Sequence, residues 1–312
     1  MDELARLANL YDAFEPSDSG AFQRRARILQ SMWRVEQGYP IGERGDSGLR
    51  RPLGSRLPMP WAKETLANYL TEIIRQVVRA EVLAAPKDGQ RKLFSRPRIF
   101  DDLLSSQPLC FNLFGELQQD LTLASAVFRD LALGRVAEVT DIAFEHSFGR
   151  GDLRYTEDSS AFDVYVEYET PYAGQGFIGI EVKYHEDLGD KAVPLRPRYE
   201  EIAARMGCFK AEQLVRLRAS PLQQIWRDHL LAGSLRQSDS GFVDGCFAFL
   251  HPLDNMDCFN ALQDYRDCLL NCDSFEAWTV EDVRAAIRRH TASDWIAHFT
   301  DRYLNFDKLL GA

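Results

Sequence analysis

AFDVYVEYETPYAGQGFIGIEVKY, residues 161–184, is the stretch on which the fold turns. Apolar and polar residues alternate over 161–169 and again over 176–184, and between them Thr170-Pro171-Tyr172-Ala173-Gly174-Gln175 reads as the turn of a hairpin. Side chains in a strand alternate faces with a period of two. Phe162, Val164, Val166 and Tyr168 therefore share one face, and so do Ile178, Ile180, Val182 and Tyr184. Packing both apolar faces on one core places Asp163, Glu181 and Lys183 together on the opposite side. A turn centred near Ala173 sets Asp163 opposite Lys183 and diagonal to Glu181, within about 5 to 8 Å. A slip of one residue would scatter them over two faces.

Two carboxylates beside a lysine form a site for a hard cation. Oxygen ligands suit Mg2+ or Mn2+, which keep several waters and accept phosphate oxygens as further ligands. Such an ion acidifies a bound water and offsets negative charge in phosphoryl chemistry. The lysine orients that water, or deprotonates it if its own pKa is depressed. A Glu-x-Lys triplet alone is common and generally marks a solvated strand face carrying an ordinary ion pair. Asp163, on the neighbouring strand with matching parity, is what separates this hairpin from that case.

Outward from the hairpin, the strand pattern extends to 139–147, with Val139, Ile142 and Phe144 as its apolar content, and a polar loop covers 149–160. Upstream, helical spacing runs over 21–37 and 61–83, flanking a Gly/Pro/Arg-rich loop at 38–60, and Pro86, Lys87, Asp88 and Gly89 mark a turn. One or two helices fill 101–135, with 115–133 the clearer. Downstream, helices are expected over 199–217 and from Ser220-Pro221 to Leu235, with Ser220 as N-cap and Pro221 in the first turn. A late strand at 241–250 and helices at 260–271, 280–290 and 294–309 complete the chain.

The 312 residues carry a formal net charge of −10, which disfavours indiscriminate coating of nucleic acid, although a metal site supplies positive charge of its own. The charge is uneven. Residues 21–60 hold eight arginines (24, 25, 27, 34, 44, 50, 51 and 56) against three acids, whereas 241–312 holds twelve acids against six bases. Six cysteines (110, 208, 246, 258, 268 and 272) show no C-x-x-C pair and read as structural thiols. The acidic N-terminus lacks the apolar run of a signal peptide, and no segment approaches the roughly 20 apolar residues of a spanning helix. A reducing, cytoplasmic setting without a membrane role is the expectation.

The order of Asp163, hairpin, Ile180-Glu181-Val182-Lys183, helices and a further strand resembles the PD-(D/E)XK nuclease superfamily, whose core runs α-β-β-β-α-β. Wider strings resemble one bacterial family of restriction endonuclease-like proteins within it. They are SSQPLCFNLFGEL (105–117), FEHSFGRGD (144–152), SAFDVYVEY (160–168), GFIGIEVKYHEDL (176–188) and PLQQIWRDHLLAGSL (221–235). ILQSMWRVEQGYPIG (28–42) and RPLGSRL (51–57) fit as well, so the resemblance runs from about residue 22 to 255.

The resemblance implies that Asp163, Glu181 and the main-chain carbonyl of Val182 ligate Mg2+ or Mn2+, and that Lys183 positions or activates the attacking water. A further carboxylate often completes such sites. Two candidates stand: Glu145 on the first strand, somewhat favoured because a neighbouring strand can deliver it to the same face, and Glu116, read as starting the preceding helix. Gln224 and Arg227, three apart on one helix face, are candidates to support the centre. Arg227 equally suits an ion pair at the edge of the core. Arg51 and Arg56 are the candidates for phosphate contact. His146 and His185 adjoin the site without belonging to the superfamily core.

The expected architecture is α/β: a mixed sheet flanked by helices over 101–255, a helical N-terminal extension over 1–100 with its Arg-rich segment, and a helical C-terminal tail over 256–312, packed as one unit. The expected function is Mg2+-dependent hydrolysis of phosphodiester bonds in DNA, endonucleolytic rather than exonucleolytic. Bacterial defence is implied by the resemblance alone. The alternative is a nuclease-fold protein that binds nucleic acid or a partner without cleaving. A cut through both strands needs two active sites, so a homodimer or a larger defence complex is the expected assembly.

Overall fold

The computed structural model describes residues 3–44, 51–85, 92–189 and 191–310. The turn read at Pro86–Gly89 and Arg50 of the basic stretch lie outside the described residues. Five strands form a mixed sheet in chain order: β1 (Glu138–His146), β2 (Phe162–Glu169), β3 (Gln175–Val182), β4 (Asp244–His251) and β5 (Phe275–Thr279). The first three pair antiparallel, and β3/β4 and β4/β5 pair parallel. The central strands β3 and β4 are buried along nearly their whole length. Their near-continuous apolar character follows from helices covering both faces.

One face carries Val164, Val166, Ile178, Ile180, Val182, Ala248 and Leu250 into the larger core. Helices α1 (Ala21–Glu36), α2 (Ser106–Gln119), α3 (Leu121–Leu131), α7 (Val280–His290) and α8 (Asp294–Tyr303) pack there. The other face carries Tyr165, Phe177, Phe247 and Phe249 against α4 (Pro197–Met206), α5 (Leu222–Gln237) and α6 (Met256–Asp267). Phe162 departs from the alternation and joins this second cluster. Its ring fills the space beside Gly179, where an added Cβ would stand 2.3 Å from a ring carbon.

The two ends of the chain are built into the sheet's covering layers. The guanidinium of Arg302 on α8, wholly buried, donates to Gln30 Oε1 at 3.0 Å and to Asn68 O and Oδ1 at 2.7 and 2.6 Å, and lies 3.9 Å over the Trp33 ring. The stretch 256–312 also supplies β5, which the helical-tail reading did not contain. Among the described residues, no helix is long and apolar enough to cross a membrane.

Several expected helices are interrupted. The pattern over 61–83 divides into Trp61–Thr65, Glu72–Val78 and a π-helical turn Arg79–Leu83. Leu66 turns left-handed (φ 52°), and the opened backbone is taken up by Asn112, whose Oδ1 accepts from Leu70 N and whose Nδ2 donates to Asn68 O. The pattern over 115–133 spans two helices, because Asp120 caps the second by accepting from Leu123 N. The 199–217 helix stops at Met206, where Gly207 (φ 62°) takes the left-handed position that ends it. Ser220 does not cap α5; its hydroxyl donates to Leu188 O.

Candidate active site

The antiparallel register brings three acids into one row across three neighbouring strands. Val164 pairs with Ile180, so the next residues along, Asp163 and Glu181, face each other. Phe144 pairs with Val164 and His146 with Phe162, so Glu145 faces Asp163 from the other side. This differs from the expected register by two residues, because Glu169 pairs directly with Gln175 and the turn holds only 170–174. A shift of two preserves face parity. Lys183 thus becomes the diagonal neighbour of Asp163, and Glu181 the direct one.

Each central carboxylate is fixed by one oxygen. Glu181, on β3 and 7% exposed, accepts at Oε1 from Lys183 Nζ at 2.9 Å and from Gln224 Nε2 on α5 at 2.6 Å. Asp163 accepts at Oδ2 from the backbone N–H of Val182 at 2.9 Å. Among the described residues, Glu181 Oε2 and Asp163 Oδ1 accept nothing. Burial and the adjacent charge of Glu181 raise the Asp163 pKa well above the carboxylate range, against the opposing pull of Lys183.

Lys183 corrects one expectation. Burial alone would lower its pKa, but the charges of Glu181, Glu186 and Asp163 outweigh that and hold the ammonium above its ordinary value. In this arrangement the side chain is a cation beside Glu181, without the depressed pKa that a proton-abstracting lysine needs. Its backbone N–H donates to Leu250 O at 2.9 Å, which continues the pairing with β4 and fixes where the side chain emerges.

The two candidate third carboxylates stand in different places. Glu145 lies in the acid row, adds to the charge that raises Asp163, and is held by Arg150 Nη2 at 2.8 Å. Its backbone is left-handed (φ 47°), an uncommon state for a residue with a side chain. Glu116 sits near the C-terminal end of α2, not at its start, and is bonded by the Thr71 hydroxyl. The helix approaches the acids at Cys110 instead, whose thiol is pushed well up by burial and by Asp163, Glu181, Glu186 and Glu145.

Arg227 donates through Nε and Nη2 to Asp158 at 3.1 and 2.9 Å, and through Nη2 to Ser160 Oγ at 2.9 Å. Asp158 also accepts from Tyr199 Oη at 2.7 Å, so this ion pair clasps the loop leading into β2. Arg51 donates to Glu15 at 2.9 Å and to Phe14 O at 2.8 Å, while Arg56 pairs with Asp101 and Asp102 at 3.1 and 2.9 Å. Both guanidinium groups are thus already engaged with acids of the chain. His146 stacks on Tyr165 at 4.6 Å, and the buried Nδ1 of His185 has no hydrogen-bond partner among the described residues.

Two acids at the site escaped the sequence reading. Asp228, one helical turn beyond Gln224, is 6% exposed, and its Oδ2 has no partner among the described residues. Burial, then the charge of Glu181, raises its pKa well above the carboxylate range. The i, i+4 spacing from Gln224 was the available signal. Glu186 accepts from Ser106 N and Tyr184 N, both at 3.0 Å, and its charge bears on Lys183.

Comparison with protein families matches residues 16–305 to the PD-(D/E)XK nuclease superfamily. The chain belongs to that superfamily. No curated protein and no solved structure matches the chain. Membership makes a nuclease the coarse functional class, and nucleases of this superfamily generally use divalent metal ions. Among the described residues, no three His, Cys, Asp or Glu side chains are grouped as ligands for a metal ion. The donor set that fits such an ion is therefore smaller: Asp163 and Glu181, each with one oxygen untaken, and the carbonyl of Val182, the residue after Glu181. All three are hard oxygen donors.

Proposed function

We propose that this PD-(D/E)XK nuclease is a Mg2+- or Mn2+-dependent deoxyribonuclease that cuts internal phosphodiester bonds. One observation carries the reading: Glu181 Oε1 is occupied by Lys183 and Gln224, and Asp163 Oδ2 by Val182 N–H, which leaves one oxygen of each carboxylate for a cation. Bound there, the ion supplies Lewis-acid stabilisation and an acidified water. Asp163, Glu181 and the Val182 carbonyl hold it, and of the two further carboxylates Glu145, facing Asp163, adds its charge beside this donor set in preference to Glu116. Gln224 keeps Glu181 in one rotamer. Lys183, a cation beside Glu181, orients the attacking water and balances charge on the phosphate. DNA as substrate, a cytoplasmic place in bacterial defence and assembly as a homodimer or within a larger complex belong to the same proposal and rest on the family resemblance.

Cleavage of plasmid, linear duplex and single-stranded DNA, and of RNA, in Mg2+ and Mn2+ tests the reading, alongside calorimetric titration of Mn2+. Asp163→Ala is expected to lose both cleavage and Mn2+ binding. If wild type and Asp163→Ala bind Mn2+ alike, or if cleavage survives both Glu181→Ala and Lys183→Ala, the mechanism is wrong. Nucleic-acid binding with no cleavage under any condition would favour the binding-protein alternative.

A further inference from the structure

A cavity of about 380 Å3 opens against the start of α5, between that helix and an arm made of Leu188, Gly189 and residues 191–196. Its lining includes Leu188, Lys191, Val193, Gln223, Gln224 and Arg227. Gln224 joins it to the active site, because the same side chain that borders the cavity donates to Glu181 at 2.6 Å. The wall is fixed. Gln223 grips the arm as a strand would, accepting from Val193 N at 2.6 Å and donating to Val193 O at 2.8 Å. Ser220 Oγ anchors the arm's beginning through Leu188 O at 2.9 Å. A second cavity of about 440 Å3 adjoins the arm and shares Val193 and Arg227 with the first.

The chemistry of the lining is mixed. Leu188, Ala192 and Val193 give apolar surface. Lys191 is exposed, and no hydrogen bond or ion pair engages its ammonium among the described residues. Arg227 spends Nε and Nη2 on Asp158 and Ser160, which leaves Nη1. The volume lies near the lower end of the roughly 300–1,000 Å3 of small-ligand pockets. A bare phosphate would leave the apolar part unfilled, and a base stacked inside a duplex cannot enter a cavity without leaving its partner.

We infer that this cavity receives one unpaired nucleotide of the substrate strand next to the bond to be cut, its base against Leu188 and Val193 and its phosphate toward Lys191. The inference rests on the nuclease reading and sharpens its substrate class to strands with an unpaired nucleotide at the cleavage point: single strands, flaps and frayed ends. Unpaired strands are usually held by a positively charged groove and side chains against which the bases stack, commonly aromatic; here Leu188 and Val193 take the place of the aromatic platform.

The test is fluorescence anisotropy with a labelled DNA oligonucleotide, single-stranded and as its duplex, in Ca2+ to hold back cleavage. It is run on wild type and on Ala192→Leu, which narrows the cavity without adding charge or a stacking ring. Wild type is expected to bind the single strand about tenfold more tightly than the duplex. Ala192→Leu is expected to bring the single strand to the duplex value while the Mn2+ titration stays as in wild type. Single-strand affinity unchanged in Ala192→Leu, or wild type binding the duplex at least as well, overturns the inference alone. If neither DNA form nor the matching RNA oligonucleotide binds, the nuclease reading falls and the inference with it.

Discussion

Gln224 reaches Glu181 at 2.6 Å from a helix, while Lys183 reaches the same Oε1 at 2.9 Å from the end of the strand that bears Glu181. One oxygen thus receives donors from two separately positioned elements, and the rotamer of Glu181 is set before any ligand arrives. Groups that orient a metal ligand generally change affinity or activity about 10–100-fold when removed. Gln224→Leu is therefore expected to weaken Mn2+ binding and lower kcat by about that factor. Gln224→Asn, whose amide falls one methylene short, should resemble Gln224→Leu. Calorimetry and steady-state kinetics on the two variants check this, and a kcat within twofold of wild type for Gln224→Leu would refute it.

Glu145 and Glu116 separate cleanly by neutralisation. Glu145 faces Asp163 across the β1/β2 ladder, whereas Glu116 is engaged with Thr71 at the start of another helix. Glu145→Gln is expected to weaken Mn2+ binding about tenfold, in the range of shell contacts around a metal. Glu116→Gln should leave Mn2+ binding as it is and cost about 1 kcal/mol of stability through the weakened hydrogen bond to Thr71. Equal effects on metal affinity from the two variants would remove the distinction. Arg150→Ala is the companion, since it frees Glu145 from the guanidinium that now holds it.

Much of this site could be read from the chain because its information is local. Period-two alternation fixed the shared face of Asp163, Glu181 and Lys183 for any register shifted by an even number of residues, and the family strings located Gln224. Register was not local. It depends on where the turn closes, and Ala173 and Gly174, both with positive φ, close it so that the pairing shifts two residues from the expected register. The breaks at Leu66 and Met206 answer to tertiary hydrogen bonds and to a glycine cap, although Asp120 before Leu-Thr-Leu carried an N-cap signal that the pattern at 115–133 overrode. β5 was missed for its brevity: FEAWT, five residues, is followed at once by the capping box of Thr279 and Asp282 that starts α7. Asp228 shares a helix face with Gln224 by its i, i+4 spacing, but a carboxylate on an otherwise mixed helix reads as solvated, so its burial went unread.

Lys183 distinguishes a charge role from a proton-transfer role. Its raised pKa, set by Glu181, Glu186 and Asp163 against the effect of burial, keeps it protonated throughout the working range. Lys183→Arg retains the charge and Lys183→Met removes it. We expect Lys183→Arg to keep measurable cleavage and Lys183→Met to fall at least 100-fold, in line with the contribution of a positioned catalytic side chain. The alkaline side of the kcat–pH profile should be the same in wild type and Lys183→Arg. An alkaline limb that moves with this substitution would mean that the lysine titrates during turnover.

His229 is one acid-sensitive point of the fold. Wholly buried on α5, it meets the Tyr265 hydroxyl at 2.8 Å and the Ser274 hydroxyl at 2.9 Å, and burial pushes its pKa down to about 3. An unfolded histidine titrates near 6.5. Between those values the unfolded chain binds a proton that the folded chain refuses, so stability is full above about pH 6.5 and declines as pH falls toward about 3, at up to roughly 1.4 kcal/mol per unit. Asp163 and Asp228, with raised pKa values, act in the opposite direction, since the folded form holds their protons more tightly. The comparison must therefore be made against a variant that removes only the histidine's titration. His229→Gln is neutral and keeps a hydrogen-bonding side chain. Urea midpoints at pH 7, 6 and 5 should fall more steeply for wild type than for His229→Gln, even if the variant starts lower. Parallel declines in the two proteins would place the acid sensitivity elsewhere in the fold.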